Sequence, residues 1–255
     1  MLDGRIIRNV PISQPLYAIG DIHGQLAELY RILTLIEADG GKDAQIVFLG
    51  DYTDRGPDSC GVIDVLIEGQ AQGRNWTFLK GNHDRMFEWF MQTPSRNDPY
   101  MMVELYWLHQ RLGGDTTMKS YGVDASGRRR KKDVQADAVA AIPKGHLDFL
   151  AGLKLSHQYG DLFFAHAGIR PGVALKQQTE EDLLWIRQEF HNHTAPHPKL
   201  IIHGHTPIDQ ATHHGNRINL DTGAGYGKPL TAAVFEGDRT WVLTDQGRAP
   251  LQPSS

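Results

Sequence analysis

Short apolar runs separated by glycine-led turns set the rhythm of this chain. Leu16-Tyr17-Ala18-Ile19 ends in Gly20, Gln45 to Leu49 ends in Gly50, and Trp76 to Leu79 leads to Gly81. Runs of this length with few polar residues predict buried strands. Between them the period changes. Leu26, Leu29, Leu33 and Ile36 recur at intervals of three and four, one face of an amphipathic helix closed by Gly40-Gly41. Pro57 suits a second helix start, with Val62, Val65 and Leu66 as its apolar face. The resulting βαβαβ pattern predicts a parallel sheet with right-handed crossovers, its ligands gathered beyond the carboxyl ends of the strands.

From Arg85 to about Leu155 the pattern loosens. Phe87, Trp89, Phe90, Tyr100, Tyr106 and Trp107 make an aromatic-rich, helical segment, followed by Gly113-Gly114 and a polar stretch from Ser120 to Lys132. We expect one domain across residues 1–255, with residues 90–155 as an insertion over the site. Leu162-Phe163-Phe164-Ala165 resumes the strand pattern. A polar helix rich in Gln and Glu follows, and Leu200-Ile201-Ile202 forms another strand. The closing third reads as strand at Arg217 to Asp221, Thr231 to Phe235 and Thr240 to Leu243, with Arg248 to Ser255 expected to fray.

Composition narrows the class. A chain of 255 residues, 40% hydrophobic with formal net charge −4, can bury a sizeable core. Its mildly acidic balance argues against a nucleic-acid or membrane partner. The run Arg128 to Lys132 reads as a solvated basic face. The single cysteine, Cys60, excludes an internal disulfide and a thiolate metal cluster, which suits a cytoplasmic setting. Residues Met1 to Arg5 show no cationic segment leading into an apolar core, so no signal peptide is expected.

The turns carry the chemistry. Gly20-Asp21-Ile22-His23-Gly24, Gly50-Asp51-Tyr52-Thr53-Asp54-Arg55-Gly56 and Gly81-Asn82-His83-Asp84 each follow a strand. Asp21 and His23, one residue apart, can face one divalent metal. Asp51 can bridge two ions through its separate oxygens, and Asn82, His166 and His205, each just past a strand end, could complete the second. Two such ions can clamp a phosphoryl group and share a hydroxide as nucleophile. Among the remaining histidines, His203 is left outside the ligand set, and His191, His193, His197, His213 and His214 read as solvated loop residues.

This series resembles the three-part signature of the calcineurin-like metallophosphoesterases. The Asp54-Arg55-Gly56 triplet makes it more narrowly similar to the phosphoprotein phosphatases, including the bacterial and bacteriophage serine/threonine enzymes. Phe164-Ala165-His166-Ala167-Gly168, Gly204-His205-Thr206-Pro207 and Asn219-Leu220-Asp221-Thr222-Gly223-Ala224 extend the likeness over most of residues 15–243. The resemblance implies an α/β fold, a four-layer αββα sandwich of two mixed sheets with a dinuclear site at the strand ends. It implies that Asp21, His23 and Asp51 hold one metal and that Asp51, Asn82, His166 and His205 hold the other. Manganese is expected first, with iron or zinc as alternatives. It further implies His83 as general acid, Asp54 as the carboxylate that orients and charges it, and Arg55 as a phosphate ligand. Arg187 is the candidate second phosphate arginine, with Arg170 as its rival. Asp84 departs from the Glu usual in eukaryotic members and points to a bacterial subgroup.

The first functional expectation is a metal-dependent serine/threonine protein phosphatase. The alternative is a dinucleoside tetraphosphate hydrolase or small-molecule phosphatase, the aromatic insertion offering a face to a nucleobase. A catalytically silent binding module and a nuclease rank below both. The oligomeric state is not legible.

Overall fold

Alternate residues of a strand point to opposite faces, and here both faces are covered. A computed structural model describes residues 12–101 and 105–254; the signal-peptide reading of residues 1–5 lies outside them. The first sheet holds β1 (Ile12–Ile19), β2 (Gln45–Phe48), β3 (Trp76–Phe78), β9 (Ala232–Gly237), β10 (Arg239–Thr244) and β11 (Gly247–Pro250) in the order β11-β10-β9-β1-β2-β3. The second holds β4 (Ser156–Tyr159), β5 (Leu162–Ala165), β6 (Leu200–His203), β7 (Thr212–His213) and β8 (Arg217–Asn219) in the order β4-β5-β6-β8-β7. Both sheets are mixed. Strands β1-β2-β3 and β5-β6-β8 run parallel, and their outer partners run antiparallel.

Strand parity builds the layers. Leu16 and Ala18 of β1, Val47 of β2, and Ala233 and Phe235 of β9 meet Phe164 of β5, Ile202 of β6 and Ile218 of β8 in one buried cluster between the sheets. The intervening Tyr17, Ile19, Ile46 and Phe48 pack on α1 (Leu26–Gly40) and α2 (Ser59–Ala71). On the far side, Phe163, Ala165 and Ile201 meet Leu183 of α7 (Glu180–Trp185) and Phe190 of α8 (Gln188–His191). The result is an αββα sandwich.

Helix α1 buries Leu29, Ile32 and Ile36. Helix α2 starts two residues later than Pro57 suggests, because the Asp58 carboxylate accepts from the Gly61 N–H and caps it. The aromatic segment is not one long helix. It comprises α3 (Asn82–Met91), an irregular connection, α4 (Gly114–Ser120), α5 (Lys131–Ala141) and α6 (Lys144–Ala151). Phe87 stacks on Trp107 at 5.0 Å, with Phe90 at 4.9 Å, so these rings are core and unavailable to a nucleobase. The basic run behaves as a solvated face: Arg129 pairs with Asp137 and Arg130 with Asp133.

Three expectations change. The Gln- and Glu-rich helix shrinks to a 3₁₀ turn at Leu175–Gln177 and the short α7. The tail does not fray at Arg248: β11 pairs with β10, and the Ser254 N–H reaches the His213 carbonyl. His197 and His213 are buried, not solvated; His197 stacks on Phe190 at 5.5 Å, and His213 lies in β7.

Candidate metal centre and active site

The parallel strands of both sheets deliver their carboxyl ends to one edge. From the first sheet come Asp21 after β1, Asp51 after β2 and Asn82 after β3. From the second come His166 after β5, His205 after β6 and Asp221 after β8. All six are buried. Close approach needs glycine: a Cβ on Gly81 would collide with Asp51 Oδ1, and one on Gly204 with Asp21 Oδ1. Among the described residues, the non-glycine residues with positive φ are His23, Asp51, Asp54, Arg55 and His205. Every one lies in this site. Such conformations cost about 1–3 kcal/mol each and persist only where the surroundings over-determine them.

Asp51 is central. Its Oδ2 lies 3.4 Å from His23 Nε2 and its Oδ1 3.5 Å from His166 Nε2. Two tight groups share it, one with His23 and His83 and one with Asp21 and His166. Asp21 also accepts the His205 N–H at 3.0 Å, which ties the first motif to the end of β6.

Backbone carbonyls fix the histidine tautomers. His23 Nδ1–H donates to Thr53 O at 2.8 Å, and His166 Nδ1–H donates to Leu49 O at 2.9 Å. Each ring therefore turns an Nε2 lone pair inward. His166 Nε2 faces Asn82 Oδ1 at 2.9 Å, and Asn82 Oδ1 also lies 2.9 Å from His205 Nδ1. His205 Nε2 is buried without a hydrogen-bond partner. Burial, then nearby cations and rings, holds His23 and His205 well below the usual imidazole range. Burial, then Asp221 and Asp51, pushes Asp21 well above the carboxylate range. Converging acceptors, neutral imidazoles and crowded carboxylates are the donor set of a divalent cation site. These residues fit the metals that the sequence implies.

Arg55 supplies the positive charge within this cluster. Its guanidinium donates to His23 Nε2 and, at 3.0 Å, to His83 Nε2, while its Nε is buried and unpaired. The Tyr226 ring lies 5.0 Å below the guanidinium. Arg187 is exposed and makes no side-chain hydrogen bond or ion pair among the described residues. Its charge is nonetheless felt at His83, His166 and His205. Its rival Arg170 is tied to Asp182 at 2.6 Å and to Glu189, which leaves Arg187 the better placed.

His83 Nδ1–H donates to Asp54 Oδ2 at 2.6 Å. Burial, opposed by Asp51 and reinforced by Arg55, takes His83 down to about 3. Burial takes Asp54 up to about 7 against its bonds from Thr117 and Trp107. Asp54 sets the tautomer and orientation of the His83 ring.

Sequence reasoning missed those last two partners. Trp107 Nε1–H donates to Asp54 Oδ2 at 2.8 Å, and Thr117 O–H donates to Asp54 Oδ1 at 2.7 Å. No local motif marks either. The Asp84 carboxylate accepts the N–H groups of Asp51, Tyr52 and Gly81 and so binds the second motif to the third. His203 is buried against Phe190, with Arg217 donating to its Nε2 at 3.1 Å.

Comparison with known proteins agrees with this geometry. The sequence profile of the calcineurin-like phosphoesterases matches residues 14–229. An asymmetrical bis(5'-nucleosyl)-tetraphosphatase PrpE of Anoxybacillus flavithermus is 28% identical over 85% of this chain and 89% of its own. Among solved structures, a candidate diadenosine tetraphosphatase superposes with a TM-score of 0.61 at 21% identity, covering 96% of this chain and 97% of that one. A cold-active protein-tyrosine phosphatase of a psychrophilic Shewanella superposes with a TM-score of 0.60 at 16% identity, covering 94% and 81%. With the profile spanning most of its length and the strand-end cluster in place, the chain belongs to the calcineurin-like phosphoesterase family.

Proposed function

We propose that this phosphoesterase is a metal-dependent hydrolase of dinucleoside tetraphosphates, cutting asymmetrically to a nucleoside triphosphate and a nucleoside monophosphate. The observation that carries this reading is the rim of the acceptor cluster. Arg55 and Arg187 offer guanidinium forks to a polyphosphate. Rings flank them: exposed Tyr226 beneath Arg55, and half-buried Trp185, 5.9 Å from His205 and stacked on exposed Tyr100. The tetraphosphatase relatives support the same substrate class. This reverses the order of the two sequence-derived hypotheses. Serine/threonine protein phosphatase activity is the second reading, favoured by Arg55 in its Asp-Arg-Gly turn.

In this proposal Asp21, His23, Asp51, Asn82, His166 and His205 hold two divalent metals, manganese first. Bound metals would supply an activated water and neutralise phosphoryl charge. Arg55 leaves His23 to grip phosphate, and Arg187 holds it from the solvent side. His83 presents Nε2 to the leaving oxygen. Asp54, fixed by Trp107 and Thr117, would balance the imidazolium when that nitrogen carries the proton. Water adds to phosphorus and one P–O bond breaks.

Chelator-stripped protein should hydrolyse neither substrate class, and manganese add-back should restore turnover of diadenosine tetraphosphate above that of phosphopeptide. Equal or higher phosphopeptide turnover would return the protein phosphatase reading to first place. No turnover of either with manganese, iron or zinc would discard both.

A further inference from the structure

A closed circuit of contacts runs behind the proposed metal position of Asn82, His166 and His205. At the front, Asn82 Oδ1 lies 2.9 Å from His205 Nδ1. Against His205 stands the Trp185 ring, edge to face at 5.9 Å with the planes 82° apart. The Trp185 Nε1–H donates to Asp98 Oδ2 at 3.1 Å. Arg85 Nε–H donates to the same oxygen at 2.8 Å, and Arg85 stands on α3, the helix that Asn82 begins. The circuit therefore starts and ends at Asn82. It joins α3, which follows β3 of the first sheet, to His205, which follows β6 of the second.

Asp98 holds the circuit shut. It is buried in the irregular connection between α3 and α4. Its Oδ1 accepts the Tyr100 N–H at 3.0 Å, so both carboxylate oxygens are engaged. The Tyr100 ring in turn stacks on Trp185 at 6.2 Å, a second hold on the indole. Arg85, also buried, pairs with Asp98 at 2.8 Å and lays its guanidinium over the Trp89 ring at 4.7 Å. Stability alone does not call for a charged pair here. A buried ion pair costs its desolvation, and apolar residues of similar volume often serve as well or better. An apolar residue at position 98 could not accept the indole N–H. Ring contact by itself leaves an indole free to slide and turn, whereas a hydrogen bond to its nitrogen fixes its direction.

We propose that Asp98 is a positioning residue for one of the two metals: through Trp185 it holds the His205 ring in the orientation that a divalent cation shared with Asn82 and His166 requires. This rests on the ligand set proposed above and not on the substrate. Groups that orient a metal ligand matter by about 10–100-fold in affinity. The test dialyses manganese-loaded protein against stepped manganese concentrations and counts ions per chain by elemental analysis. Trp185→Phe keeps a ring beside His205 and leaves the Arg85–Asp98 pair intact, but loses the N–H. One of its two ions should need about tenfold or more free manganese to stay bound, with the other retained as in the parent. Asp98→Ala should do the same, and adding it to Trp185→Phe should bring no further loss, because both remove one contact. Should Asp98→Ala fail to fold, Trp185→Phe decides alone. Unchanged retention in Trp185→Phe, loss of both ions alike, or additive losses in the double variant would leave Asp98 a structural partner of Arg85 and overturn the proposal. A parent that holds fewer than two ions overturns it together with the ligand set. Selective loss of one ion supports it whichever phosphoester the protein cuts.

Discussion

Asp51 uses nearly every polar atom it has. Its N–H donates to Asp84, its carbonyl accepts from Ile22 and His23, and its Oδ1 accepts from the His83 N–H while both oxygens face histidines. Asp51→Asn should therefore lose bound metal, read by elemental analysis, together with turnover. Arg55→Ala should separate the two. Metal content should stay at the parental value, because the side chain only borders the acceptor atoms, while turnover of a phosphoester falls by roughly 10²–10³-fold. Undiminished turnover would remove Arg55 from the phosphate site. Much of this was legible. A carboxylate or imidazole just beyond an apolar run and a glycine must emerge at a strand end. The positive φ of His23, Asp54 and Arg55 was not legible, because tertiary packing, not residue preference, enforces it.

At the scale of elements, the connection after α3 and helix α4 carry the partners of Asp54 in the proposed His83–Asp54 dyad. Trp107 and Thr117 lie 53 and 63 residues beyond Asp54 in sequence, so only the packing of α4 on α2 reveals them. Trp107→Phe keeps a ring against Phe87 but removes the N–H. It should lower kcat by about 10–100-fold and move the limb of the pH–rate profile set by His83, with little change in melting temperature. Loss of stability without that profile change would mean that Trp107 is only core. The parallel strands and first two helices were readable from period alone, since two-sided burial and one-sided burial leave different patterns. The irregular stretch between α3 and α4 was not, because its turns answer to long-range contacts.

At the scale of the molecule, the edge strand β11 is tied back onto the first sheet and α1. Arg248 of β11 donates to Asp39 at the end of α1 and to Glu236 of β9, and the Tyr17 O–H of β1 donates to the same Asp39 at 2.6 Å. Burial alone would raise Asp39, but these bonds outweigh it and hold the carboxyl below its ordinary 3.8. A depressed carboxylate stabilises fully above its unfolded pKa and loses that contribution as pH falls through the folded value. Arg248→Ala should cost about 1 kcal/mol in urea unfolding at pH 7, and the gap from the parent should narrow well below pH 3.8. A gap that is constant with pH would exclude Asp39 as its source. Between the sheets, Phe164→Ala should cost about 3–5 kcal/mol by the same measurement, since its ring is fully buried against Phe235.

The strand-end cluster has a mechanical consequence. Its acceptors are drawn from two sheets that otherwise touch mainly through greasy side chains, with Asp21, Asp51 and Asn82 on one and His166 and His205 on the other. A cation seated among them would act as a rivet through both plates. Amide hydrogen exchange should then slow together at β2 and β6 on manganese addition, and removing the ion should let that seam breathe while the opposite edge stays shut.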